Sequence, residues 1–304
     1  MSKILRFMRE PNVIAPPLLV LVILILLLFV RLINLDALTG DNPYMALVVL
    51  QIMIFALPGV FYCKLKGVGY VESTRLKLFG LNQVPIMLFL LFVMILGSII
   101  LKFVLHSIGI SPTIVDDWTT AVPTHPGATI YIILAFAVMP ALMEELIFRG
   151  ILMTEYEKFG GTSAIIASAL LFGMIHFDGP GFMIYMFVGL CLGFAAFATR
   201  SILAPMILHF IYNMYAIFVE NHVWYMLGYR PSRVLFIFIA SSAALVFLVL
   251  TIVEAERLFY NYAANREPEP ILVKGTLRSG LTGVLLSPAL LVCAVLFVII
   301  TLAG

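Results

Sequence analysis

The chain has 304 residues, of which 63% are apolar and only 11% charged, and it carries a net charge of +2 at a mean hydropathy of +1.13. Soluble domains average about 25% charged residues, so this composition excludes an ordinary soluble globular protein. The small net charge gives no reason to expect a nucleic-acid partner; the lipid bilayer is the solvent that suits such a chain.

Lys3, Arg6 and Arg9 open the chain, and the apolar run 13–34 follows. That run outlasts the roughly 7–15 residues of a signal-peptide core. Arg31, not a small-residue cleavage site, closes its apolar part, so a retained first span is expected. Further apolar windows lie at 44–63, 83–105, 127–152, 162–177, 181–199, 202–220, 233–255 and 284–303. Each approaches the ~17–25 residues that cross a bilayer as helix. The windows at 162–177, 181–199 and 202–220 are shorter and tightly linked, so they read as full or partly re-entrant spans. The runs are continuous and lack period-two alternation, which favours helices over a barrel. The expected fold is all-α, a polytopic transmembrane helix bundle of about eight spans, with nine as the alternative.

Basic residues cluster in alternate loops: Lys64, Lys66, Arg75 and Lys77 after the second window, and Arg266, Lys274 and Arg278 before the last. Loop 106–126 has Asp116 and Asp117 but neither Lys nor Arg. The asymmetry places the N-terminus in the cytoplasm, at the plasma (inner) membrane if the source is prokaryotic. The charged stretch 254–280, with Pro268 and Pro270, reads as a cytoplasmic connector to a final helix. Cys63, Cys191 and Cys293 are far apart and form no CxxC, so they are expected as apolar packing residues.

Ionisable groups inside apolar spans mark function by default, and three clusters fall between residues 140 and 215. The first is Glu144-Glu145-Leu-Ile-Phe-Arg149. Adjacent helical residues point about 100° apart. Glu145 and Arg149 are spaced i,i+4 in the favourable ion-pair order, which leaves Glu144 facing another direction. Pro140, just upstream, is expected to kink the helix. The second cluster is Phe172-Gly-Met-Ile-His176, and the third is His209-Phe-Ile-Tyr-Asn213, whose His and Asn share one helix face. Gly160-Gly161 marks a turn, and Glu144 and His176 each lie about sixteen residues from it. In an antiparallel hairpin they then sit at one depth, roughly 24 Å from the turn.

A carboxylate and an imidazole sharing a water make a nucleophile, and a buried carboxylate is the better base near neutral pH. Glu144 is thus the expected general base, with His176 positioning the water. His209 and Asn213 are expected to supply oxyanion donors. Glu145, Arg149 and Phe172 support the site. No Gly-x-Ser-x-Gly elbow and no Cys near these groups points to covalent catalysis. Zinc held by Glu144, His176 and His209 is the competing chemistry, although the His-Glu-x-x-His helix is absent. The expectation is no cofactor, with zinc as the alternative.

Glu-Glu-x-x-x-Arg, Phe-x-x-x-His and His-x-x-x-Asn, in this order on apolar segments, resemble the CAAX-processing and bacteriocin-self-protection (CPBP or Abi) group, which includes the type II CAAX prenyl endopeptidases. The stretch from Gly189-Leu-Cys-Leu-Gly193 to His209 is also similar. The resemblance covers roughly residues 126–218. It implies an eight-helix membrane core that hydrolyses a peptide bond, with Glu144 and His176 as the water-activating pair, His209 and Asn213 as oxyanion partners, and Glu145 and Arg149 as the structural pair. The expected organisation is N-terminal helices and loops over 1–125, the catalytic core over 126–218, and C-terminal helices with the connector over 219–304. The expected partner is a peptide or protein substrate, with or without a lipid. Two rivals remain: a non-catalytic immunity or peptide-binding membrane protein using the same cavity, and an ion- or proton-coupled transporter using the buried acids, against which the lack of repeated halves argues.

Overall fold

The computed structural model describes residues 7–8, 12–31, 43–70, 74, 76–110, 126–228, 230–265 and 277–303. Among these, all regular structure is helical. In chain order the helices are α1 (Ala15–Arg31), α2 (Tyr44–Lys66), α3 (Leu81–Ser107) and α4 (Thr129–Phe159). Then follow α5 (Gly161–Met174), α6 (Phe182–Thr199), α7 (Leu203–Phe218), α8 (Glu220–Gly228), α9 (Arg233–Ala264), α10 (Leu277–Leu285) and α11 (Pro288–Ala303). Every apolar window of the sequence is thus helical, as a chain with no water to satisfy its backbone must be.

Five of these helices, α2, α3, α4, α6 and α9, are long and apolar enough to cross a membrane. The pair α7 and α8, bent by 50° at their junction, makes a sixth. The expected count of eight or nine is therefore not reached by length and composition. The shortfall lies in α1, α5 and α11, which have 17, 14 and 16 residues. Their windows have the right chemistry, but over the described residues these helices are short; α5 stops at Met174, ahead of the turn that leads into Asp178-Gly-Pro-Gly181.

The outward faces match a lipid solvent. On α9, Val234 is 77% exposed, Phe238 68% and Leu245 62%. Apolar surface on this scale marks a membrane contact, and the chain is a multi-pass membrane protein. The basic and acidic residues on which the orientation rests, Lys3, Arg6, Arg9, Arg75, Asp116, Asp117, Arg266 and Lys274, lie outside the described residues, as do Pro268 and Pro270. Cys63, Cys191 and Cys293 are buried free thiols.

Packing places α5 against α6 at short range. A Cβ at Gly189 of α6 would come 3.0 Å from Ala169 Cα, and one at Gly193 would come 3.2 Å from Ile165. Small residues four apart allow such an approach between membrane helices. α3 runs along α9, where Phe92 stacks on Phe247 with centroids 4.4 Å apart. A buried ion pair, Lys102 with Glu220, ties α3 to the bend between α7 and α8. At the far end of α6, Gln83 donates to Thr199 O (3.2 Å) and to the Tyr262 hydroxyl (2.7 Å), which itself donates to Ala198 O (2.9 Å). These bonds join α3, α6 and α9. Arg200 ends α6 with φ 55°, and its guanidinium lies 3.7 Å over the Tyr262 ring.

Candidate active site

The site begins with the shape of α4. Two π-helical turns, Leu134–Val138 and Leu146–Leu152, bracket the α-helical piece Met139–Glu145. Proline lacks an N–H and its ring crowds the carbonyl four residues earlier. The first π turn ends two residues before Pro140 and opens the helix where that crowding falls. The same arrangement recurs in α2, where the π turn Ile52–Ala56 precedes Pro58. Pro140 is thus accommodated by a widened turn, which sets the direction in which Glu144 and Glu145 leave the helix.

Glu145 is fully buried. Its Oε1 accepts from Arg149 Nη1 at 2.7 Å and from His209 Nδ1 at 2.9 Å. Arg149 in turn donates from Nη2 to Gly189 O at 2.9 Å and lies 4.5 Å from the centre of the Phe172 ring. One buried carboxylate and one buried guanidinium therefore join α4, α6 and α7, with the α5 residue Phe172 as a fourth wall. Phe172 is the hub. Its ring meets Phe148 edge-on at 5.4 Å, His176 at 5.0 Å and His209 at 5.7 Å.

His176 lies just past the end of α5. Its Nδ1 is 2.9 Å from Phe172 O, so Nδ1 carries the ring proton in the neutral tautomer and Nε2 is left to the site. Its ring stacks on Tyr185 of α6 at 3.9 Å and 16°. Glu144 is half-buried, and its Oε2 is buried without a protein partner. It lies within electrostatic range of His209, Glu145 and Arg149, and His176 within range of His209 and Arg149. Among the described residues no hydrogen bond joins Glu144 to His176. Asn213 is half-buried, one turn beyond the buried His209 on α7.

The structure therefore brings Glu145, Arg149, His209 and Phe172 into one contact network and sets His176 against its edge. Glu144 enters through the field of that network. Among the described residues no three His, Cys, Asp or Glu side chains form a group that could hold a metal ion.

The family model described as type II CAAX prenyl endopeptidase Rce1-like matches residues 126–215. That segment is similar to the family. It holds all seven residues singled out in the sequence. Within the curated proteins, the Bacillus subtilis (strain 168) protein named "Putative membrane peptidase YdiL" is 27% identical over 89 residues, which are 29% of this chain and 36% of that relative. The match thus spans about a third of the relative's length. No solved structure matches the chain. The family model falls on the segment that carries the resemblance to the CPBP group.

Two contributors within the matched segment, Tyr185 and Ser168, escaped the sequence reading, and a third, Gly189, was named there only as part of the resemblance. Tyr185 sits in the apolar run Phe182-Met-Ile-Tyr-Met-Phe187 and reads there as one more membrane aromatic. Ser168, whose hydroxyl donates to Phe148 O at 3.0 Å, carried no signal. Gly189 did carry one: Gly189-x-x-x-Gly193 is a small-residue pattern for close helix approach, and the carbonyl that receives Arg149 sits on that same contact.

Proposed function

We propose that this chain is an intramembrane endopeptidase that hydrolyses a peptide bond with water activated by Glu144. The observation that carries the reading is the buried, unpartnered Oε2 of Glu144, held beside the Glu145–Arg149–His209 set within a segment similar to membrane peptidases. A buried acceptor without a protein donor is costly, and a water molecule supplies the missing bond.

Glu144 takes one proton from that water as its oxygen attacks the substrate carbonyl carbon. The carbonyl π electrons pass to oxygen, and the oxyanion accepts hydrogen bonds from His209 and Asn213. As the tetrahedral intermediate collapses, the C–N bond breaks and Glu144 returns the proton to the leaving nitrogen. His176 presents Nε2 to the water, its ring held by the Phe172 carbonyl and by Tyr185. Glu145, Arg149 and Phe172 hold the frame. The reading uses no metal, places the catalytic core within 126–218, takes a peptide or protein as substrate and sets the N-terminus in the cytoplasm.

The contact between Glu145 and His209 adds a condition. A carboxylate at Nδ1 keeps the proton on that nitrogen. His209 then donates from Nε2 only as an imidazolium; as a neutral ring it accepts there and orients the water instead. The imidazolium is the form that suits an oxyanion.

The test is proteolysis by purified protein reconstituted in liposomes. Glu144→Gln keeps the side-chain shape and removes the base; it is expected to lower the rate by at least ~10²-fold, within the range that general-base catalysis supplies. Cleavage at the wild-type rate by Glu144→Gln would show that Glu144 is not the base and that the chain cleaves by another chemistry.

A further inference from the structure

A cavity of about 700 Å³ lies between α1 and α2, remote from Glu144 in its lining. Leu18, Val22 and Leu26 of α1 face Met53, Leu57 and Phe61 of α2 across it. On α2 it extends from Leu50 to Leu65, roughly 22 Å at 1.5 Å per helical residue. A smaller cavity of about 200 Å³ opens at the Leu65 end, lined by Thr154, Glu155 and Lys158 of α4 among others. Tyr62 lines both, so the two form one path that changes from apolar to polar across a single ring.

The polar end carries excess positive charge. Glu155 accepts from Lys66 Nζ at 2.7 Å and from Lys158 Nζ at 3.1 Å, so two ammonium groups share one carboxylate. The Tyr62 ring is 5% exposed, yet its hydroxyl is buried with no hydrogen-bond partner. Buried hydroxyls are ordinarily paired, and here a donor stands at the junction of an apolar groove and a cationic pocket.

We propose that this path is a binding site for a membrane phospholipid with an anionic head group. One acyl chain lies in the groove, whose length exceeds the roughly 15 Å of one leaflet of hydrocarbon. The head-group phosphate accepts a hydrogen bond from the Tyr62 hydroxyl and pairs with Lys158, which keeps donors beyond the one given to Glu155. A peptide does not suit the groove, because its backbone polar groups would find no partners among these side chains. The site shares no side chain with the proposed catalytic set and does not depend on that reading.

The experiment is a lipid titration of the purified full chain in detergent, read by native mass spectrometry, with phosphatidylglycerol and with diacylglycerol, which lacks the phosphate, of identical acyl chains. Phosphatidylglycerol is expected to bind about tenfold more tightly, the scale of one charge-assisted hydrogen bond. Tyr62→Phe and Lys158→Ala should each bring it close to the diacylglycerol value, and Leu57→Trp, which fills the groove, should weaken both lipids. Without added lipid, Tyr62→Phe should melt at or above the wild-type temperature, because it removes a buried hydroxyl that has no partner. Equal affinity for the two lipids, or a preference that survives both Tyr62→Phe and Lys158→Ala, overturns the proposal and leaves only unspecific annular lipid.

Discussion

Glu145→Gln isolates the charge at the centre of the network with almost no change of shape. In the wild type one oxygen of Glu145 receives Arg149 at 2.7 Å and His209 at 2.9 Å, with no exposure to solvent. Removing one partner of a buried ion pair costs about 3–5 kcal/mol, because the other charge stays behind. The glutamine oxygen still accepts one neutral hydrogen bond, which offsets about 1 kcal/mol. Arg149 also keeps Gly189 O and the face of Phe172. A loss of about 2–4 kcal/mol follows. Adding Arg149→Met removes the stranded cation, so the double variant should recover at least ~1 kcal/mol relative to Glu145→Gln alone. The measurement is unfolding free energy of the purified protein in mixed micelles across the four-member cycle. A single variant within about 0.5 kcal/mol of wild type, the range of an ordinary surface change, would refute the argument. So would a double variant that merely sums the two singles.

Tyr185→Phe keeps the ring stacked on His176 and should leave proteolysis near wild type. Tyr185→Leu forfeits an aromatic pair of about 0.5–1.5 kcal/mol and should lower the rate several-fold; equal rates for the two variants would remove Tyr185 from the site. Gly189→Ala places a methyl 3.0 Å from Ala169 Cα and displaces the carbonyl that holds Arg149. A destabilisation of about 1–3 kcal/mol is expected from overpacking, read as a lower melting temperature, and an unchanged melt would contradict the close α5–α6 contact. Dialysis against a strong zinc chelator should leave proteolysis unaltered, since the proposed mechanism uses no metal; loss restored by added zinc would contradict it.

Some of this was legible in the residues and some was not, for identifiable reasons. The Glu145–Arg149 contact follows from i,i+4 spacing alone, because both residues lie on one face of one helix. Its third member, His209, is 64 residues away, and no spacing rule reveals which way α7 is turned about its axis. Equal distance from the Gly160 turn put Glu144 and His176 at a common depth but could not give a common direction. His176 turns its Nδ1 to the Phe172 carbonyl and its ring face to Tyr185. The widened turns of α4 leave no trace in hydrophobic period, since they add one residue where nearly every side chain, Arg149 excepted, is apolar; Pro140 marked the place of the first without giving the geometry. The span count suffered from a related limit. An apolar window reports which solvent a segment tolerates, whereas α5 ends where the turn after Met174 stops it.

The lysine inside α3 bears on how the chain is made. Lys102 and Glu220 are 118 residues apart, and a ribosome adds about 5–20 residues per second, so α3 exists for roughly 6–24 s before its counter-ion is synthesised. A lone lysine in a span disfavours insertion by about 3 kcal/mol at mid-depth. Lys102 stands five positions from the end of its helix, close enough to extend its ammonium to the aqueous boundary meanwhile. Only when the α7–α8 bend arrives can that side chain fold back into the protein, so assembly of the bundle has a last step that is electrostatic and waits on biosynthesis.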